Sequence, residues 1–261
     1  MPAKRKSNAH VADKAGKGSC AHCAAPKGSA KQSSAAAHPK KKKARAKKED
    51  FAKNLWHKQY FSNCKRAKLF RAVVPIVGDS CNVLYAGSFI DINPSFVFPS
   101  VTYVDMDKNA NRFFQDEKTV SALIAQHRPK TSRTKASFAF IHGDFRKPLN
   151  LTPGSFDLVV SLWAGLASAD CVEYLKVGGH LLANASHGDV AWASLDQRYK
   201  LAAVVWNKSS GTPYRVDTKE LDTFLVPKKK NIKLSKEDIR AAGRAIAYTR
   251  TPAFYLFRRV A

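Results

Sequence analysis

Acidic residues are what this chain most lacks. Its 261 residues hold 20 Asp and Glu against 45 Lys and Arg, a formal net charge of +25. The deficit is not confined to one end. Residues 1–50 carry 14 basic residues against 3 acids, and setting aside their +11 leaves +14 on the other 211. An excess of one sign attracts a polyanion, so the composition points to nucleic acid, RNA before DNA, ahead of anionic lipid. Long apolar runs are missing as well. No stretch of about 18 apolar residues occurs, so no membrane-spanning helix is expected, and the N-terminus has no apolar core of a secretory signal. The five cysteines are odd in number and scattered, which suits a reducing compartment better than a disulfide framework. Large apolar side chains are nearly absent from Met1 to Lys48. A stretch of Lys, Ala, Ser and Gly cannot bury enough surface to offset its ordering entropy, so a disordered basic tail is expected over 1–48.

Within that tail, Pro39 to Lys48 (PKKKKARAKK) has the form of a nuclear-localisation or nucleic-acid-gripping run. The expected location is nuclear, with a mitochondrial presequence as the alternative. Cys20-Ala21-His22-Cys23 supplies one cysteine pair where a zinc site needs four ligands, and His10, His22 and His38 do not complete it. No metal is expected.

Residues 49–261 are expected to form one α/β domain. A helical lead-in covers 49–74, where Trp56, Tyr60, Cys64, Ala67, Phe70 and Val73 recur at three- and four-residue steps. Lys53, Lys58, Lys65, Arg66 and Lys68 fill its other face, either solvated or along a phosphate backbone. Seven strands are then expected, at Val83–Ala86, Val101–Val104, Phe138–Ile141, Phe156–Leu162, His180–Asn184, Leu201–Trp206 and Ala253–Phe257. The first two lack polar alternation, as strands buried on both faces of a parallel sheet do. Helices are expected over Lys108–Phe114, Thr119–Gln126, Ala167–Leu175, Lys219–Val226 and Lys236–Ala247, and Ser186-His187-Gly188-Asp189 is expected to begin another that runs to about Tyr199. Between the first two strands Asn93 is the expected cap of a helix that Pro94 opens and Pro99 limits to about one turn. The alternation predicts three layers. Gly87-Ser88 closing strand one and Asp105 closing strand two, 18 positions after Gly87, form the skeleton of a nucleotide-binding crossover.

Five stretches stand in an order that resembles the class I S-adenosylmethionine-dependent methyltransferases over roughly residues 80–260. They are Tyr85-Ala86-Gly87-Ser88-Phe89, Asp105, Gly143-Asp144-Phe145, Phe156-Asp157-Leu158-Val159-Val160 and Tyr174-Leu175-Lys176-Val177-Gly178-Gly179. A more specific resemblance is to an uncharacterised methyltransferase-like group with a Tyr-x-Gly-Ser loop and a Ser-His-Gly-Asp segment, from which no activity carries over. The resemblance implies a Rossmann-like methyltransferase fold with a mostly parallel seven-stranded sheet. It implies S-adenosylmethionine held by Tyr85, Ala86, Gly87, Ser88, Asp105, Met106, Asp144, Phe145, Ser161 and Trp163. Asp105 would take the ribose, or else cap the helix from Asp107 to Phe114, a job Asp107 could do equally well; Asp144 would take the adenine amine or only the turn with Gly143.

Two positions depart from the family. Tyr85 stands for an acid and Phe89 for a glycine, and a phenyl ring at 89 is expected to obstruct the methionine part of the ligand. The acceptor would sit above strands four and five, among Ser161, Trp163, Asn184, Ser186, His187 and Asp189. His187 is the candidate base with Asp189 orienting it; alternatively Ser186 or Asp189 caps a helix and His187 is a loop residue. Trp163 either stacks on a ring or belongs to the core. The Asn-Pro-Pro-Tyr motif of amine-methylating enzymes is absent from Ser161-Leu162-Trp163-Ala164, and no nucleophilic cysteine for cytosine-C5 chemistry is recognisable. The expectation is a methyltransferase-like protein acting on or beside RNA. The alternatives are a catalytically silent scaffold for RNA or ribonucleoprotein, and a small-molecule methyltransferase.

Overall fold

Among the described residues, eight strands form one sheet in the order β3-β2-β1-β4-β5-β8-β6-β7. They are β1 (Asn82–Ala86), β2 (Ser100–Asp105), β3 (Ser137–His142), β4 (Phe156–Ser161), β5 (Leu175–Ala183), β6 (Tyr199–Trp206), β7 (Arg215–Asp217) and β8 (Phe254–Arg259). The computed structural model describes residues 51–59, 65–130, 134–207, 213–229 and 234–261. The expected tail, the run at 39–48, Cys20, Cys23, Tyr60 and Cys64 lie outside them. Every described residue belongs to one unit, Pro39–Ala261.

The strands from β3 to β5 are parallel, and β8 enters antiparallel between β5 and β6. The expected three-layer α/β architecture is present, with an eighth strand. β7 is three residues long and pairs antiparallel with β6 at the sheet edge, too short to leave a period in the sequence. β1 is buried on both faces. Val83 and Tyr85 join the core cluster that also holds Trp56, Phe70 and Phe113, whereas Leu84 and Ala86 join the one with Val172, Val190 and Phe224. Apolar side chains on both pleats are what a central parallel strand requires.

The helices are α1 (51–59), α2 (Lys65–Val77), α3 (Lys108–Phe114), α4 (Glu117–His127), α5 (Ala167–Asp170), α6 (Asp189–Leu195) and α7 (Lys236–Ala242). Several run shorter than their apolar periodicity suggests. The expected helix 167–175 breaks after Asp170, because Leu175 already pairs with Phe156 as the first residue of β5. The Val177-Gly178-Gly179 turn is therefore a register shift inside β5, with Gly178 at φ 88°. The 219–226 segment is a 3₁₀ turn, Leu221–Leu225.

The crossover from β1 to β2 departs most from a Rossmann unit. It holds one 3₁₀ turn, Asn93–Phe96, all buried. Asn93 does not cap it; Ile92 occupies that position without a side-chain bond. Asn93 instead accepts from Ala67 N–H of α2 at 3.1 Å and donates Nδ2 to Asp91 at 2.6 Å. Asp91, fully buried, also accepts from Arg66 Nη1 at 2.6 Å and from Tyr85 hydroxyl at 3.1 Å. Arg66 is thus no solvated lysine-face residue: it lies mostly buried against Asp91. With no room for a crossover helix, α1 and α2 supply the cover. Trp56 of α1 meets Phe96 of the crossover and His127 of α4 at ring separations of 6.4 and 4.8 Å.

Removing one partner of a buried, hydrogen-bonded ion pair leaves the other uncompensated. Asp91→Ala is expected to lower the unfolding free energy by about 3 kcal/mol, and the exposed Lys68→Ala by less than about 0.5 kcal/mol, as measured by urea unfolding.

Candidate functional site

A cavity of about 540 Å³ opens beyond the paired ends of β1 and β4, at the carboxyl ends of β1 to β4. This is the switch point of the sheet, the place where open α/β sheets bind ligands. Gly87, Asp105, Met106, Asp144, Phe145 and Trp163 line it, as does His187. Tyr85, Ala86, Ser88 and Ser161, also expected to hold a cofactor, are buried behind its wall.

Gly87 turns at φ 64°, and a Cβ there would collide with Ala164 of the β4–α5 loop. The glycine therefore admits a neighbouring loop of its own chain. The expected obstruction by Phe89 does not arise. Phe89 has φ 46°, packs against the core beside α2 and does not line the cavity. Its N–H donates to Asp105 Oδ2 at 2.6 Å, and Asp107 N–H donates to Asp105 Oδ1 at 2.8 Å. Asp107, not Asp105, caps α3, accepting from Asn109 and Ala110 N–H. A carboxylate has about four acceptor positions, so Asp105 keeps capacity for two ligand hydroxyls. Asp144 is more committed. Arg146 donates to it from Nε, Nη2 and backbone N–H at 2.6–3.0 Å and holds its carboxyl below the usual range.

His187 has φ 55° within the 3₁₀ turn Ser186–Gly188 and is exposed at the cavity. Asp189 does not orient it. Asp189 is fully buried and accepts from Ser168 N–H at 2.9 Å, so the acid expected to cap its own helix serves the first turn of α5. The residue preceding α6 is Gly188, with no side-chain cap; neither Ser186 nor Asp189 has that role. Burial pushes the Asp189 carboxyl up to about 6, against the opposing pull of Ser161 and Ser168. Ser161 Oγ and Asp189 Oδ2 make no well-aligned hydrogen bond, so burial prevails.

Trp163 is 53% exposed, with φ 59°. Its N–H donates to Asn184 Oδ1 at 3.0 Å. It stands between the first cavity and a second of about 660 Å³, bordered by Arg66, Asn184, Tyr214 and Phe254. Trp163 is therefore a wall shared by two compartments. Sequence reasoning missed Arg146, Asp170 and Arg240 in the first cavity and Arg66 and Tyr214 in the second. Arg146 follows the Gly-Asp-Phe turn directly, a signal that was available; α7 brings Arg240 from far along the chain and left none. Among the described residues no cluster of His, Cys, Asp and Glu suits a metal ion, and no helix is long and apolar enough to cross a membrane.

No protein-family model matches the chain, and no curated protein matches it. Solved structures do. A SAM-dependent methyltransferase of Leishmania major is 12% identical over 65% of this chain and 80% of its own, with a TM-score of 0.39. An rRNA methylase of Streptococcus thermophilus is 14% identical over 57% of this chain and 90% of its own, at 0.37. A Methanococcus maripaludis protein assigned as an S-adenosylmethionine-dependent methyltransferase is 18% identical over 54% of this chain, at 0.37. The chain spans 64% of that protein's length and about half, 54%, of a Bacillus halodurans one. Identities and TM-scores this low carry nothing about activity.

Asp189→Asn keeps an acceptor for Ser168 N–H. The unfolded-chain value for Asp is about 3.9, so the raised folded-state pKa favours the protonated fold. That contribution is fully present below about pH 4 and lost as pH rises through about 6. The wild type should therefore lose roughly 2 kcal/mol more than the Asn variant between pH 4 and 7, measured by urea unfolding of both proteins. The strand order and the cavity at the carboxyl ends of β1 to β4 are those of an open, mostly parallel α/β sheet with its ligand crevice at the switch point.

Proposed function

We propose that this chain is an S-adenosylmethionine-dependent methyltransferase-type protein acting on or beside RNA. The observation that carries the reading is the switch-point cavity with the Asp105 carboxylate on its wall, only half of its acceptor capacity used. That donor set fits an adenosine-bearing ligand. Asp105 would accept from two ribose hydroxyls, and Met106 and Phe145 offer apolar surface to a purine. Both departures from the family pattern turn away from the cavity, Tyr85 toward Asp91 and Phe89 into the core.

Bound there, S-adenosylmethionine would supply an electrophilic methyl group on sulfonium, for in-line transfer. The chain's part is alignment and exclusion of water. Trp163 and Ala164 wall off the cavity on the side of β4. His187 is the base this wall offers, and proton removal falls to its imidazole alone because Asp189 is tied to α5. RNA rests on the net charge of +25, and the run Pro39–Lys48 is the reason to put the protein in the nucleus. A second reading, the catalytically silent scaffold, draws on Gly87, whose open side is filled by Ala164 from within the chain.

Calorimetric titration of the full chain with S-adenosylmethionine and S-adenosylhomocysteine separates the two. Micromolar binding, weakened at least about tenfold, or about 1.4 kcal/mol, by Asp105→Ala without loss of circular dichroism, is the expected outcome. No heat and no thermal shift at millimolar ligand would make the scaffold the account.

A further inference from the structure

The second cavity, beyond Trp163, has its own recognition chemistry. It lies at the carboxyl ends of β5 and β6, where antiparallel β8 begins, so Phe254 at the start of β8 joins Asn184 after β5 on one rim. Three aromatic rings frame it. Phe254 meets Trp163 edge-on at 6.1 Å and Tyr214 at 6.1 Å. The Arg66 guanidinium lies 5.1 Å from the Trp163 ring centre, and it opposes the upward push that burial gives the Tyr214 phenol. Trp163 combines high exposure with a left-handed backbone, a conformation that costs of order 1–3 kcal/mol and persists where surrounding structure imposes it.

Asn184 decides what this frame recognises. It is 6% exposed, and its carbonyl oxygen is taken twice, by Trp163 N–H at 3.0 Å and by Ser186 hydroxyl at 2.9 Å. Those two donors fix which end of the amide is oxygen. The amide nitrogen has no partner among the described residues, on a side chain that lines the cavity. That nitrogen opens onto the cavity from a side chain otherwise held in place, so a ligand that fills the cavity can present an in-plane acceptor to it. A ring with a flat face for the aromatic walls and an acceptor on its edge is a nucleobase; the Arg66 guanidinium on the rim is already matched by Asp91 and lies over the Trp163 ring.

We infer that this cavity holds the base of a nucleotide, with Asn184 Nδ2 donating to a ring carbonyl or imino nitrogen. The inference rests on the proposed function for its biological sense, as the acceptor compartment beside the cofactor cavity. Its ligand chemistry stands on the cavity alone. The same chemistry has two sources, a free 5′-mononucleotide or one residue of a single-stranded RNA.

The test is quenching of tryptophan fluorescence of the full chain by uridine and adenosine 5′-monophosphates and by a seven-residue single-stranded RNA, with S-adenosylhomocysteine binding measured separately. Saturable quenching is expected, lost in Trp163→Phe. Asn184→Asp retains the oxygen that Trp163 N–H and Ser186 require and replaces only the donor. It should weaken nucleotide binding at least tenfold while leaving S-adenosylhomocysteine affinity and melting temperature unchanged. If Asn184→Asp does not fold, Tyr214→Ala on the half-buried rim must give the same loss. RNA binding at least a hundredfold tighter than mononucleotide would identify an RNA residue as the source; equal affinities would identify the free nucleotide. Nucleotide binding without S-adenosylhomocysteine binding would sustain this site and overturn the cofactor reading. S-adenosylhomocysteine binding with no nucleotide or RNA quenching at millimolar concentration, or an unaffected Asn184→Asp, would overturn the nucleotide site itself.

Discussion

The buried carboxylate of Asp91 is the contact on which the rest of this structure leans. It gathers Arg66 from α2, Tyr85 from β1 and Asn93 from the crossover, and Asn93 returns a bond to the backbone of α2. A charge taken out of water is tolerable only when paired and hydrogen-bonded, and here three different segments meet that demand at one point. The crossover can then dispense with a helix, because α2 is fastened where a crossover helix would pack. The same knot serves the cavities. Arg66 lies beside Trp163, so the residue that secures α2 also helps to shape the second compartment.

Trp163 and the turns around it divide the carboxyl edge of the sheet. On one side are Gly87, Asp105 and Phe145; on the other are Asn184, Tyr214 and Phe254. Several backbones here are left-handed without being glycine, at Phe89, Trp163 and His187. Such conformations gather where a fold over-determines its loops. Phe89 shows the consequence. At φ 46° its half-buried ring packs against the core cluster and its N–H donates to Asp105.

Charge and burial act at different scales in this protein. The excess of +25 is a property of the whole chain and bears on partners at long range. Locally, acids are few and nearly all in use: Asp144 by Arg146, Asp196 by Arg198 and Lys236, and Asp170 by Arg240. Asp116, Asp170 and Asp189 each keep one buried oxygen unmatched, and of these Asp189 is the most deeply buried.

Much of the fold could be read from residue order. Strands β1, β2 and β4 are apolar on both pleats, and only a central parallel sheet explains that pattern. Asp107 at the start of α3 and Pro94 with Pro99 in the crossover act on their own neighbours, so their effects were foreseeable. What distant segments decide was not. The partner of Asp189 is Ser168, 21 residues away; that of Asp91 is Arg66, 25 away. Whether Phe89 obstructs a ligand turns on a backbone angle that Asp105 helps to hold. The sequence by itself determined seven of the strands, their succession along the chain and the cationic character, because these depend on periodicity and composition. Tertiary structure alone decided which carboxylates remain open to a ligand and that the edge holds two compartments, because hydrogen-bonding capacity is spent between residues far apart in the chain.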